Sequence, residues 1–331
     1  MTCYPKPMKT LPSLAALSTM TALLWATPAR PDTVFLPANG DTVVGSLGVT
    51  TSEYEDTLLD IGLAYDQGYR EMRLANPKVD PWIPGADTEV VIPSQYILPQ
   101  APREGIVINV PEMRLYYYPR AKPGEPRVVI TNPVSVGRQD WKTPQGLTRI
   151  VAKTLNPAWY PPASIRKEHA ADGDPLPRMV PPGPDNPLGR YALRLGHDGY
   201  LIHGTNKPFG IGMRVTHGCL RLYPKDIERL FGEVRVGTPV RIVNQPFKVG
   251  WLAGGLYLET HPPLDEDAAA FHDSFTQVVG LVTQATRDAQ HAVDWDGLQQ
   301  AVSDRKGIPV LISRAPTAPV EAGVSSGEAL Q

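Results

Sequence analysis

The chain has 331 residues, 42% of them apolar and 20% charged, and 32 Lys and Arg against 34 Asp and Glu leave a formal charge of −2. At ~150 residues per domain this size predicts about two domains, and the near-neutral balance excludes a strongly basic nucleic-acid binder or a cationic membrane clamp. The 36 prolines speak against a long helical bundle, since each interior proline costs a helix about 3 kcal/mol, and favour turn-rich β structure.

Residues 1–29 read as a signal peptide. Lys6 and Lys9 form a positive start, Leu11–Trp25 is mostly apolar, and Ala26 and Ala29 offer small residues for cleavage. The apolar stretch is shorter than the ~20 residues a membrane span needs, and no other run approaches that length, so no transmembrane segment is expected. Residues 33–97 form a separate small module. Leu58, Ile61 and Tyr65 recur at helical spacing after Thr57, a second short helix fits Tyr69–Leu74 before Asn76-Pro77, and Thr88–Pro93 reads as a strand after a Pro84-Gly85 turn. This pattern of D-T-L-x-x-I, a later Asn-Pro and a closing V-I-P resembles the LysM peptidoglycan-binding module, an α+β unit. Leu98–Pro102 then makes a linker.

The central region, residues 104–245, is rich in strands. Gly105–Val110, Arg114–Tyr118, Val128–Ile130, Thr148–Val151, Tyr191–Leu195, Tyr200–His203 and Pro239–Val243 carry β-branched and aromatic residues between Gly, Pro and Asn. One helix fits Pro224–Phe231, with proline in its first turn. Many strands with little helix predict a mainly β sandwich or barrel. The proline-rich stretch Pro157–Pro187 reads as a long loop, of the kind that often covers a site. A C-terminal extension spans residues 246–314. It holds a hairpin over Trp251–Leu258 with a Gly-Gly turn, helical residues 265–304 and a last strand at Ile308–Ile312. Residues 315–331 read as a disordered tail.

Of the two cysteines, Cys3 lies in the segment expected to be removed, leaving Cys219. A lone thiol in an exported chain is either buried and inert or reactive. Its neighbourhood favours the second. His203-Gly204-Thr205-Asn206 precedes Met213-Arg214-Val215-Thr216-His217-Gly218-Cys219-Leu220-Arg221 by a short spacer. A cysteine nucleophile needs a base or cation to form its thiolate, and amide donors for the developing oxyanion. A glycine just before it lets those amides converge. A metal site built from His203, His217 and Cys219 lacks the fourth ligand of a closed structural centre, so no metal and no cofactor are expected.

His203 followed by Thr216-His217-Gly218-Cys219-Leu220-Arg221 resembles the signature of the L,D-transpeptidases of the YkuD type. Gly137, the Thr143-Pro144-x-Gly146 turn and Asn186-Pro187-Leu188-Gly189 support the match, and with the LysM-like module the chain looks most like the ErfK/YbiS/YcfS/YnhG branch. The resemblance implies a periplasmic enzyme with a β-sandwich catalytic domain that acts on peptidoglycan stem peptides. Cys219 would be the nucleophile, His203 the general base and the Gly204 carbonyl its orienter. His217, Gly218 and Cys219 would give oxyanion amides, Thr216 would support the cysteine loop, and Arg221 would support that loop or a substrate carboxylate. Asn206 and Arg190 are further candidate substrate contacts. Attack on the third stem residue would release D-alanine, and an amine would then take the acyl group. A lysine of an outer-membrane lipoprotein is the favoured acceptor, with diaminopimelate (a 3–3 cross-link) as the alternative. A cysteine hydrolase of wall peptides and a non-catalytic wall-binding protein stay open from other classes. Solvated roles are expected for His169 and His197, and anchoring roles for Trp141, Trp159 and Tyr160.

Overall fold

A computed structural model describes residues 33–37, 40–287 and 291–314. The expected signal peptide and the tail from 315 onward lie outside the described residues. In chain order, the N-terminal part contains β1 (Thr33–Phe35), β2 (Val43–Gly45), β3 (Gly48–Thr51), α1 (Leu58–Ala64), α2 (Tyr69–Ala75), β4 (Glu89–Ile92) and β5 (Gln95–Ile97). Thr57 caps α1 through a reciprocal pair of bonds with Asp60, which satisfies amides that a helix start otherwise leaves open. Strands β3 and β4 pair antiparallel around the two helices, and Leu58, Ile61, Met72, Val90 and Ile92 form a small core of their own. The first strand, β1, leaves this unit and pairs with a strand of the central sheet.

The central part contains β6 (Gly105–Asn109), β7 (Arg114–Tyr118), β8 (Val128–Pro133), β9 (Val136–Gly137), β10 (Gly146–Leu155), α3 (Ala163–Ala171), β11 (Tyr191–Leu195), β12 (Leu201–His203), β13 (Arg214–Thr216), β14 (Leu220–Arg221), α4 (Pro224–Glu233) and β15 (Pro239–Val243). One nine-stranded sheet runs β1-β8-β7-β6-β15-β10-β11-β12-β14. Its halves meet through β10. Residues 146–149 pair with β15, residues 150–155 pair with β11, and a bulge at Ile150/Ala152 lies between. Such a bulge bends the strand and increases its twist, so the sheet curls over a single core. Ile106, Ile108, Ile130 and Val240 of one half share that core with Leu193, Ile202 and Leu220 of the other, with Ile227 and Leu230 of α4 packed in. The mainly β expectation agrees with this architecture. The stretch 157–187 differs from the expected plain loop, because α3 forms within it, starting right after Pro161-Pro162, where a proline at a helix start loses no backbone bond.

The C-terminal part contains β16 (Phe247–Leu252), β17 (Gly255–Thr260), α5 (Ser274–Ala285), β18 (Ala292–Val293), α6 (Trp295–Asp304) and β19 (Val310–Arg314). The β16–β17 hairpin turns at Ala253-Gly254 instead of the expected Gly-Gly pair, both residues having positive φ (48° and 78°), as a tight primed turn requires. Within 265–304, expected to be helical, the described residues hold a 3-10 turn at Asp265–Asp267, the helices α5 and α6, and β18 between them.

Two buried ionic clusters join the three parts. Arg114 of β7 donates to Glu71 of α2 from Nε (2.5 Å) and Nη2 (2.9 Å) and lies over the Tyr96 ring at 4.3 Å. Lys248 of β16 sits 2.9 Å from Glu112 and 2.8 Å from Glu259, and donates to the Ile97 carbonyl at 2.7 Å. His261 Nε2 lies 2.7 Å from the same Glu259. No described helix is long and apolar enough to cross a membrane.

Candidate active site

The site is built where two strands run parallel. β12 pairs with β14 in the register Ile202↔Leu220 and His203↔Arg221. Ile202 and Leu220 are buried in the core, so by strand alternation Leu201 and His203, with Cys219 and Arg221, occupy the other face. Cys219, the residue just before β14, and His203 are thus diagonal neighbours on one face, a separation of roughly 7–8 Å between Cα positions.

His203 is 3% exposed. Its Nδ1 lies 2.7 Å from the Gly204 carbonyl. A carbonyl can only accept, so Nδ1 carries the hydrogen and Nε2 keeps its lone pair. Burial holds the imidazole down at about 3, with Arg221 adding to the effect, while the carbonyls of Gly204 and Leu188 oppose it. His203 is therefore a neutral base at neutral pH. The Cys219 thiol is half-buried and free. Burial pushes it up, opposed by the Leu201 amide hydrogen and by Arg221. The sulfur also lies 3.7 Å from the Gly199 carbonyl. The resting pair is a neutral thiol beside a neutral imidazole.

The turn holding the sulfur is fixed from several sides. Thr216 Oγ1 donates to the Cys219 carbonyl at 2.6 Å, closing Thr-His-Gly-Cys upon itself. Gly218 has φ +94°, and a Cβ there would stand 2.6 Å from Tyr200 Cε1 and 3.1 Å from the Lys142 carbonyl. Glycine alone meets both demands. Thr143 Oγ1 accepts from the Gly137 amide and donates to the Gly218 carbonyl, each at 3.0 Å. Among the described residues the amides of His217, Gly218 and Cys219 find no backbone acceptor outside the strand ladders.

The His217 ring lies edge-on to Trp141 with centroids 5.0 Å apart, and its Nε2 is 3.3 Å from Glu168 of α3. Burial and Arg138 lower the imidazole, opposed by Glu168. Glu168 also pairs with Arg138, so α3 is tied to the chain around the cysteine. His169, expected to be solvated, stands on α3 with its ring 6.5 Å from that of His217. Arg221 Nε is buried with no partner among the described residues. Asn206 is exposed and donates to the Asp185 carbonyl, and exposed Arg190 lies over Tyr191 at 5.7 Å. Neither is bonded to the His203–Cys219 pair.

Sequence reasoning missed Glu168, Arg138 and Tyr200. None carries a motif: Glu168 arrives with the folding of 157–187, Arg138 follows β9 and bonds the Thr216 carbonyl through its amide, and Tyr200 stands just before β12 against Gly218. A cavity of about 420 Å³ lies under that covering segment, lined by Ala152, Thr154, Arg194, Leu201, Tyr160 and Leu188 among others.

Among the described residues, Glu112, Glu259 and His261 are the group with metal-ligand geometry. The Lys248 ammonium already lies between the two carboxylates, so the set is a closed ion cluster. It shares no residue with the cysteine site.

Residues 103–242 match the family model of the L,D-transpeptidase catalytic domain. The chain is 41% identical over 304 residues to the probable L,D-transpeptidase YcfS of Escherichia coli strain K12, covering 90% of this chain and 93% of that protein. It is likewise 41% identical over 284 residues to the probable L,D-transpeptidase ErfK/SrfK of Salmonella typhimurium, covering 84% and 90%. Among solved structures, an L,D-transpeptidase from Mycobacterium smegmatis aligns over 42% of this chain and 57% of that one, with 21% identity and a TM-score of 0.33. The chain belongs to the L,D-transpeptidase family and is an enzyme of the transferase class.

Proposed function

We propose that this enzyme is an exported peptidoglycan L,D-transpeptidase whose nucleophile is Cys219 and whose base is His203. The observation that carries the assignment is the shared face of the two side chains, with Nδ1 engaged by Gly204 and the Nε2 lone pair left for the thiol proton. As sulfur attacks the carbonyl of the third stem residue, diaminopimelate at its L-centre, the thiol proton passes to Nε2 and the carbonyl oxygen gains negative charge. The amides of the left-handed Gly218 turn are the donors for that oxyanion. When the intermediate collapses, the C–N bond breaks, His203 returns the proton to the departing D-alanine amine, and a thioester to Cys219 remains. An acceptor amine then attacks the thioester, gives its proton to His203 and releases the thiol.

The favoured acceptor is a lysine of an outer-membrane lipoprotein, which would anchor that membrane to the wall; a second diaminopimelate amine is the alternative. The segment folded over the cysteine turn speaks for an amine over water, because a covered site limits hydrolysis of the thioester. The strand–helix–helix–strand unit ahead of the catalytic sheet is proposed to bind peptidoglycan in the manner of LysM, and residues 1–29 to direct export to the periplasm.

Incubating the purified chain with disaccharide tetrapeptide and a lysine-ended acceptor peptide tests the proposal. Mass spectrometry should show loss of D-alanine, an acyl adduct on Cys219 and a joined product. Both Cys219→Ser and His203→Asn should abolish the joined product. D-alanine release that persists in Cys219→Ser would overturn the assignment.

A further inference from the structure

We infer that Arg194, on the same sheet face as Cys219, forms a carboxylate-binding subsite for the acyl-donor peptide. The inference deepens the transpeptidase reading above and rests on it for the identity of the donor.

The register places Arg194 on the catalytic face. Arg194 of β11 pairs with Leu201 of β12, and Ala192 pairs with His203. Residues opposite each other in a ladder share a face, and Leu193, between them, is fully buried in the core. Arg194, Ala192, Leu201 and His203 therefore line one surface, together with Ala152 and Thr154 of β10, which pair with Arg194 and Ala192. Leu201 precedes Ile202, whose partner Leu220 follows Cys219, so Leu201 and Cys219 sit at matching positions on the two strands. Two strand spacings separate Arg194 from the cysteine, roughly 10 Å.

Ala152, Thr154, Ala192, Arg194 and Leu201 of this surface line the 420 Å³ cavity, together with Pro157, Ala158, Tyr160 and Leu188; His203 and Cys219 lie outside its lining. Apart from Arg194, every residue lining it is uncharged. Arg194 is exposed, and no acidic group pairs with it among the described residues. An arginine standing alone in an otherwise uncharged pocket presents a planar fork of donors with no acceptor, the arrangement suited to a carboxylate. An extended peptide advances about 3.3 Å per residue, and an arginine side chain reaches several ångströms back along this surface. The anion it meets lies on the residue bound to sulfur or on the one before it.

Stem-peptide donors with free carboxylates, and the same donors amidated at those carboxylates, separate the possibilities. Binding is measured first with Cys219→Ala, which cannot turn over, and with Cys219→Ala/Arg194→Gln. The free-carboxylate donor should bind Cys219→Ala about 10- to 100-fold more tightly than its amide, the range expected for a hydrogen bond to a charged group. Arg194→Gln should remove most of that preference, and Arg194→Lys should restore part of it. In the active enzyme Arg194→Gln should raise KM for the free-carboxylate donor by a similar factor while kcat stays within about threefold. Equal binding of both donors to Cys219→Ala, or a preference unchanged by Arg194→Gln, would overturn the subsite. Binding of neither donor would overturn it too. Arg194-dependent binding without D-alanine release would leave the subsite standing and remove the transferase reading alone.

Discussion

The charge state of the resting site makes a sharp prediction. With His203 held at about 3, only about one imidazole in ten thousand is protonated at pH 7. An ordinary thiol near 8.5 is about 3% ionised at that pH, and burial puts Cys219 lower still. An imidazolium–thiolate ion pair is therefore not the resting form. Alkylation of Cys219 by iodoacetamide should rise about tenfold per pH unit from 6 to 8, with no step between 4 and 7. Replacing His203 by Asn should change alkylation at pH 8 by less than about threefold, yet slow acyl transfer by about 10²–10⁴, the usual contribution of a general base. A flat alkylation rate from pH 5 to 8, or an inflection that climbs by more than one unit in His203→Asn, would refute the neutral pair. Linkage gives a second readout with a definite sign. The unfolded imidazole binds a proton near 6.5, whereas the folded one does so only near 3. Its contribution to stability is complete above pH 6.5 and falls between 6.5 and 3 by at most about 1.4 kcal/mol per unit. His203→Asn should flatten that slope in urea titrations.

Gly218→Ala should lower stability by about 2–5 kcal/mol through left-handed backbone strain and contact with Tyr200; adding Tyr200→Ala should not restore activity, because the Lys142 carbonyl and the positive φ remain, and a Gly218→Ala enzyme with ordinary turnover would contradict the turn geometry. Arg114→Ala strands the buried Glu71 carboxylate and should cost about 3–5 kcal/mol in urea unfolding, with the double variant Arg114→Met/Glu71→Met recovering most of it; a single-variant loss below 1 kcal/mol would show that water reaches the pair. Glu168→Gln loosens α3 from Arg138 and His217 and should speed hydrogen exchange over Ala163–Ala171 several-fold, whereas unchanged exchange would mean that the helix is held by other contacts.

Local patterning shows which parts of the molecule were legible in advance. The seven central strand segments were readable because each alternates or fills with β-branched and aromatic residues between turn formers, and α1 was readable from Leu58, Ile61 and Tyr65 behind Thr57. The candidate pair His203 and Cys219 came from two short runs, His203-Gly204 and Thr216-His217-Gly218-Cys219, separated by a spacer. Long-range partners were not readable. Glu168 reaches His217 only because a proline-rich segment folds α3 over the cysteine turn, and nothing in the periodicity of 157–187 announced a helix of nine residues. The departure of β1 to the central sheet was equally silent, because a three-residue strand leaves almost no pattern. Arg194 is a third case. Its alternation with Leu193 predicts an outward side chain, but only the Arg194↔Leu201 register puts it on the same sheet face as His203 and Cys219.

The Lys248 cluster also bears on how the polypeptide can be divided. One ammonium is shared by Glu112 of the central region, Glu259 of the following hairpin and the carbonyl of Ile97, so a cut at 97 or 246 would separate members of one buried ion cluster. Expressing residues 104–245 alone would bare Glu112 without its counter-ion and leave Arg114 facing no carboxylate. Such a fragment should be recovered poorly, and the intact chain should melt in a single calorimetric transition instead of three.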